Sequence, residues 1–128
     1  MAISLSTTLR TTRANAITTA LGAAAKLRLY TASYAVLLAE CVCDATAFAP
    51  APVAGVLTVN AISPGTAAAG AAAQARLYRS DGMTLEITGI SISDSAGAGD
   101  LKLSQTGVAI TNGQSVVVDS LTITEGNA

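Results

Sequence analysis

The sequence predicts an all-β protein, a jelly roll or β-sandwich of about eight strands with one N-terminal α-helix. Three observations predict this class. Short runs that alternate apolar and polar residues recur along most of the chain, turn signals separate them at regular spacing, and a 3.6-residue pattern is confined to the start. A chain of 128 residues suits one domain, so residues 1–128 are expected to form a single unit.

The helix is predicted over residues 6–21. Ser6 is a suitable N-cap, and Gly22 stands where a glycine commonly ends a helix. Threonine is a mediocre helix former, so this helix needs packing to persist. An apolar stripe is expected to supply that packing: Leu9, Ala16, Ile17, Ala20 and Leu21.

The β-sandwich is predicted over about residues 26–124. After Gly22 the period changes to two, and Leu27 and Leu29 share one face of the first strand, residues 26–30. In the second strand, Leu37, Ala39, Cys41 and Cys43 are expected to share a face. The strands after the first are expected at residues 36–44, 55–62, 71–78, 83–88, 101–103, 108–110, 116–118 and 121–124.

Turn residues predict how some of these strands pair. Asp81 with Gly82, and Asn112 with Gly113, are dipeptides typical of β-hairpins, and each is expected to join the strands that flank it. Residues 48–52 contain two prolines and cannot form a central strand, because proline has no N–H for the ladder. Residues 93–100 are expected to be a flexible, polar, glycine-rich loop.

The composition predicts a thin core. The chain has 27 alanines, one phenylalanine, three tyrosines and no tryptophan, and burial of large side chains is the main force in folding. Leu37 beside Leu38, and the three valines at 116–118, place apolar side chains on both faces of some strands. We therefore expect a homo-oligomer stabilised by its neighbours, with a modestly stable monomer as the alternative.

The charge distribution limits the classes of partner. The net charge of −1 argues against nucleic acid, whose binding needs concentrated positive charge. The chain has no run of eighteen strongly apolar residues, which is the pattern that would indicate a membrane-spanning helix. The first thirty residues nevertheless hold four bases and no acid: Arg10, Arg13, Lys26 and Arg28. This basic end could dock on an acidic protein surface, or its charges could simply be solvated.

The residues offer little for catalysis, so we expect no enzyme activity. There is no histidine, which removes the common general base and triad partner, and no G-x-S-x-G motif is present. A hydrolase using Glu40 and Asp44, which share a strand face, remains a rival hypothesis, although exposed polar positions explain both residues. The three tyrosines, Tyr30, Tyr34 and Tyr78, are too few and too lightly flanked by cations to form a stacking platform for single-stranded nucleic acid.

No cofactor or metal is expected either. Cys41 and Cys43 are two residues apart on one side of a strand, where buried small apolar side chains are a simpler explanation than a redox pair or a zinc site. Asp94 and Asp100 flank a loop that could loosely wrap calcium. Alanine and glycine fill its middle, however, where calcium loops place oxygen ligands.

Four segments resemble a family of small tailed-phage virion proteins. They are MAISLSTTLR at residues 1–10, KLRLYT at 26–31, GVLTVNAI at 55–62 and LTITEGN at 121–127. The similarity spans nearly the whole chain, and its motifs are compositional, without a catalytic signature. Residues 32–35, Ala-Ser-Tyr-Ala, depart from the Gly- or Pro-rich turn of relatives.

The resemblance implies a function in assembly. Members of this kind are similar to the jelly-roll cement, or decoration, proteins of short-tailed phages, which clamp neighbouring major capsid proteins from outside. It implies a protein made in the host cytoplasm and carried on the capsid exterior. The expected capsid contacts are Arg10, Arg13, Lys26 and Arg28. The alternative is a tail or adsorption component with a β-rich receptor- or glycan-binding module, which exposed aromatic clusters would favour.

Overall fold

The computed structural model describes residues 6–44, 56–59, 62–63 and 65–124. Helix α1 spans Thr7–Leu21, and a short 3₁₀ turn spans Ala32–Tyr34. The predicted all-β class with one N-terminal helix is confirmed. The strands within the described residues are β1 Lys26–Tyr30, β2 Leu37–Cys43, β3 Val56–Thr58, β4 Ile62–Ser63, β5 Gly65–Thr66, β6 Gly70–Ala71, β7 Gln74–Tyr78, β8 Leu85–Asp94, β9 Leu101–Leu103, β10 Ala109–Ile110, β11 Ser115–Val116 and β12 Val118–Thr124.

Eight of these strands form one curled sheet in the order β3-β12-β9-β8-β7-β1-β2-β4. Two short ladders, β6 with β10 and β5 with β11, accompany it. The edge strands β3 and β4 lie at opposite ends of this order, yet only three residues separate Thr58 from Ile62. Four residue steps reach at most about 14 Å. The sheet must therefore curl until its two edges are close.

Helix α1 begins and ends as predicted, but the predicted stripe is partly wrong. Ser6 Oγ accepts a hydrogen bond from Leu9 N at 3.1 Å, and Gly22 has φ 69°. The helix meets the core through Ala14, Ile17 and Leu21, spaced i, i+3 and i+7. Leu9, which is 45% exposed, lies roughly 120° around the helix from that line, at 100° per residue. Ala16 is likewise exposed.

Leucine dominates the core, and the core faces of β1 and β7 follow strict alternation. Leu27 and Leu29 are fully buried, as predicted, and Leu77 of β7 lies opposite Leu27. The sheet closes over further fully buried side chains from its other strands: Leu57, Leu101, Leu103 and Leu121. A leucine interior explains how a chain with so few aromatic residues buries apolar area.

A β-bulge in β2 corrects the predicted face of that strand. Leu29 pairs with Ala39, but the next residue, Tyr30, pairs with Leu37, so Leu38 is the extra residue. Leu38 therefore turns into the core, at 2% exposure, while Leu37 is 45% exposed. The adjacent leucines arise from the bulge rather than from a strand covered on both faces.

The two hairpin predictions have different outcomes. Asp81 forms the predicted turn between β7 and β8, which pair antiparallel. Asn112 and Gly113 also lie in a tight turn, with Gln114 N donating to Thr111 O at 3.1 Å. The strands on either side of that turn do not pair with each other: β10 pairs with β6 and β11 with β5, so that prediction is wrong. A turn dipeptide fixes the local reversal, not the partner of two-residue strands.

β8 and β9 are parallel although only residues 95–100 connect them. Parallel neighbours usually need a dozen or more linking residues. Here only three residues of each strand are paired, so the connection has to run back roughly 10 Å from the end of β8 to the start of β9. Six residues can span that distance. Hydrogen bonds hold this connection, which was expected to be a flexible loop. The Asp94 carboxylate accepts from Ala96 N at 3.1 Å and from Gly107 N at 2.9 Å. Ser93 Oγ accepts from Gly99 N. The proline-containing residues 48–52 lie outside the described residues.

Candidate interaction surface: the arginine–tyrosine face

The register of β1 and β7 gathers arginine and tyrosine on the outer face of the sheet. The tripeptide Arg-Leu-Tyr occurs in both strands, and they run antiparallel with Arg28 opposite Arg76. Because each central leucine points into the core, both arginines and both tyrosines point outward. Each arginine thereby lies diagonally beside the tyrosine of the other strand.

The guanidinium groups lie over the tyrosine rings. Arg28 Cζ is 4.7 Å from the ring centroid of Tyr78, and Arg76 Cζ is 5.5 Å from that of Tyr30. Tyr34 adds a third ring, 3.7 Å from Arg76 Cζ. Such cation–π contacts are worth about 0.5–1 kcal/mol each at exposed sites. We call these five residues, with Glu40, the arginine–tyrosine face.

Hydrogen bonds to the hydroxyl oxygen of Tyr34 hold its ring over Arg76. The oxygen accepts hydrogen bonds from Gly89 N at 2.7 Å and Thr88 Oγ1 at 3.1 Å, and the bond from Thr88 is the main reason that its pKa is lowered. Ser33 and Tyr34 have φ 57° and 56°, a left-handed conformation that costs a non-glycine residue about 1–3 kcal/mol. The side-chain contacts of Tyr34 therefore hold a turn for which glycine would be the easier residue.

Glu40 neutralises part of the positive charge on this face. Its carboxylate lies 2.6 Å from Arg28 Nε and 3.7 Å from Lys26 Nζ. The hydrogen bond to Glu40 raises the pKa of Arg28. Glu40, one member of the carboxylate pair considered for a hydrolase, is thus engaged by two cations.

Tyr30 and Tyr78 touch through their hydroxyl groups, 3.4 Å apart. Tyr30 is only 8% exposed, and burial raises its pKa, whereas the hydrogen bond between the two hydroxyls lowers the pKa of Tyr78. Either hydroxyl can be the donor. The two ring systems are therefore linked across the strands.

The four predicted capsid contacts do not form one patch. Lys26 and Arg28 lie on the outer face of β1, beside Glu40. Arg10 and Arg13 belong to α1, whose buried residues join the core on the opposite side of the sheet. Their contact with a capsid stays a prediction.

Sequence reasoning missed Arg76 and the tyrosines. The expectation that cations flank these rings only lightly is wrong, because all three lie beside Arg28 or Arg76. That the chain does not bind nucleic acid stays a prediction. The repeated Arg-Leu-Tyr tripeptide was the available signal. It becomes informative only once the two strands, whose facing ends Tyr30 and Gln74 are 44 residues apart, are known to be neighbours.

The two cysteines and Asp100, which the sequence suggested as possible reactive or metal-binding residues, are either buried or hydrogen-bonded. Cys41 and Cys43 are buried free thiols, and burial raises the pKa of Cys43 to about 11. Asp100 Oδ2 accepts a hydrogen bond from Ser91 Oγ at 3.1 Å. Among the described residues, no three acidic, cysteine or histidine side chains cluster closely enough to hold a metal. In that part of the chain, no helix has the length and apolar character needed to cross a membrane.

Comparisons with models of protein families, with curated proteins and with solved structures give no match to this chain. Function is therefore inferred from the arginine–tyrosine face and from the resemblance in sequence. Planar cations held against aromatic rings suit recognition of another surface.

Proposed function

We propose that this chain is a non-catalytic virion protein that binds the outside of a phage capsid and stabilises contacts between major capsid proteins. The observation that carries the proposal is the arginine–tyrosine face. Arginine and tyrosine are enriched at the energetic centres of protein interfaces, where their large side chains bury much area at modest entropic cost. The resemblance to decoration proteins supplies the identity of the partner.

The apolar rim of this face supports the same proposal. Leu37 is 45% and Leu85 is 42% exposed, and they pair with Tyr30 and Tyr78 respectively. They therefore occupy diagonally opposite corners of the four strands β8, β7, β1 and β2. Burying them against a partner makes the free energy of binding more favourable by about 25 cal/mol for each Å² of apolar surface removed from water.

The size of the face favours binding by several copies. Four strands at about 4.8 Å spacing and five residues at about 3.4 Å give a projected area of roughly 300 Å². A standard interface buries about 800 Å² on each partner. One face alone thus supports a weak contact, and a homo-oligomer that spans two or more capsid subunits gains affinity through avidity.

Cryo-microscopy of virions, with and without the gene for this chain, tests the proposal. We expect density of this fold on the outer shell of the first sample and none in the second. Adding the purified protein to the second sample should restore the density and raise the temperature at which the shells release DNA. Density confined to the tail, or none on the shell, contradicts the proposal.

The alternative is a tail or adsorption component that binds a receptor or glycan. The gathering of three tyrosines on one face favours it, since sugars stack on exposed aromatic rings. Against it, Tyr30 is only 8% exposed, and guanidinium groups cover Tyr34 and Tyr78. Density on the tail, together with adsorption to host cells that Tyr78→Ala abolishes, would favour this alternative.

A further inference from the structure

Arg76 differs from the other cations of the arginine–tyrosine face in its partners. Arg28 and Arg76 lie directly opposite each other, and like charges in that position destabilise a sheet. Arg28 is compensated by Glu40. Within the described part of the chain, no carboxylate lies at ion-pair distance from Arg76. Its guanidinium group contacts the rings of Tyr34 and Tyr30, and its Nε donates to Thr88 Oγ1 at 3.2 Å.

The face as a whole keeps a positive excess. Arg28, Arg76 and Lys26, which borders the face on β1, carry three positive charges. Among the described residues Glu40 is the one carboxylate paired with them, although the full chain has a net charge of −1. Two rings and the Thr88 bond hold the Arg76 guanidinium in place, so little side-chain entropy remains to be lost on binding. A fixed planar fork of N–H donors matches the two oxygens of a carboxylate.

We propose that Arg76 is the anchor of the interface and receives an aspartate or glutamate carboxylate from the partner protein, with apolar partner side chains beside it. This inference rests on the proposed function and names the chemistry of the partner surface. The exposed leucines at the two corners, Leu37 and Leu85, favour a protein over nucleic acid, because a phosphodiester backbone offers nothing apolar to cover them.

A peptide titration of the isolated protein tests this chemistry without a capsid. The probe is N-acetyl-Leu-Asp-Leu-amide, and its uncharged match has asparagine in place of aspartate. We expect the aspartate peptide to shift the side-chain Nε–Hε NMR signal of Arg76, with an affinity at least about tenfold above that of the asparagine peptide. Equal responses to the two peptides, or tighter binding of a 20-base-pair DNA duplex through Arg76 at the same salt concentration, would overturn the proposal.

Variants then separate this inference from the proposed function. Arg76→Gln should weaken binding to capsids by about tenfold or more, as truncation of a central interface arginine does, and Arg76→Lys should restore only part of it. Lys102→Gln on β9 makes the same change in charge outside the face and should leave binding within about twofold. Wild-type protein that binds capsids no better than Arg76→Gln protein refutes the anchor alone, whereas wild-type protein that does not bind refutes the proposed function.

Amide NMR spectra show whether each variant is folded. Arg76 points outward from β7, so Arg76→Gln should keep the dispersed spectrum of the wild type. Arg76→Lys is a second folded variant that retains the charge. Binding of Arg76→Lys equal to that of the wild type would show that charge alone suffices, and it would refute recognition by the planar fork.

Discussion

Replacing Tyr34 by phenylalanine removes one oxygen atom and keeps the ring over Arg76. The lost oxygen is the acceptor of hydrogen bonds from Gly89 N and Thr88 Oγ1. A net hydrogen bond contributes about 0.5–1.5 kcal/mol, and both of these are exposed, so each lies at the low end of that range. Release of the strained backbone offsets part of the loss. We expect the free energy of unfolding to fall by about 1 kcal/mol.

Tyr34→Phe should also have a local effect at Gly89. Gly89 N loses the acceptor 2.7 Å away, so its amide should exchange with deuterium at least about twofold faster, as expected for a bond worth about 0.5 kcal/mol. Two-dimensional NMR of exchange gives the local rate, and urea denaturation followed by circular dichroism gives the global free energy.

Tyr78→Phe is the matched control for Tyr34→Phe. It removes a hydroxyl group from the same face, but that hydroxyl contacts Tyr30 and no backbone amide. Exchange at Gly89 should therefore stay at the wild-type rate. If Gly89 exchanges equally fast in wild-type and Tyr34→Phe protein, the hydroxyl of Tyr34 does not fasten the turn, and the account of the strained turn is incorrect.

Three further outcomes are expected. Asp94→Ala should lower the free energy of unfolding in urea by about 2 kcal/mol, because two backbone N–H groups lose a charged acceptor. Asp119→Ala, at an exposed position of β12, should change it by less than about 0.5 kcal/mol. Burial raises the pKa of the Cys43 thiol to about 11, above its usual value near 9, so Cys43 should resist iodoacetamide at pH 8 until the protein unfolds. Because the folded pKa is the higher one, the contribution of the buried thiol to stability is complete below pH 9 and declines between pH 9 and 11. The Asp81 carboxylate accepts hydrogen bonds from Met83 N and Thr84 N, which lower its pKa to about 2 from the usual 3.8, and titration followed by NMR should show this value. Its stabilisation of the β7–β8 turn is therefore present above pH 4 and is lost as the pH falls through 2.

Local signals in the sequence predicted local structure well. The Ser6 cap, the end at Gly22 and the bounds of β1 depend on residues within one turn or one strand, so each can be inferred from its own segment. The alternation that buries Leu27 and Leu29 is equally local.

Features set by distant pairing were not predictable in this way. The bulge at Leu38 depends on the register with β1, and the partners of β10 and β11 lie about forty and about fifty residues earlier in the chain, respectively. The arginine–tyrosine face needs β1 and β7 side by side, which periodicity within either strand does not encode. Composition suggested a thin core because it counts aromatic residues, and it could not show that one leucine from nearly every main strand would point inward.

The pairing order has a consequence for how this chain matures on the ribosome. Strands β3, β5 and β6 find their partners in β12, β11 and β10, all near the other end of the described residues. At synthesis rates of 5–20 residues per second, β3 waits roughly 3 to 12 seconds before β12 exists. During that interval β3 has no partner strand, so its ladder N–H and C=O groups stay unpaired. Stalling translation just before β12 should therefore leave β3 accessible to protease.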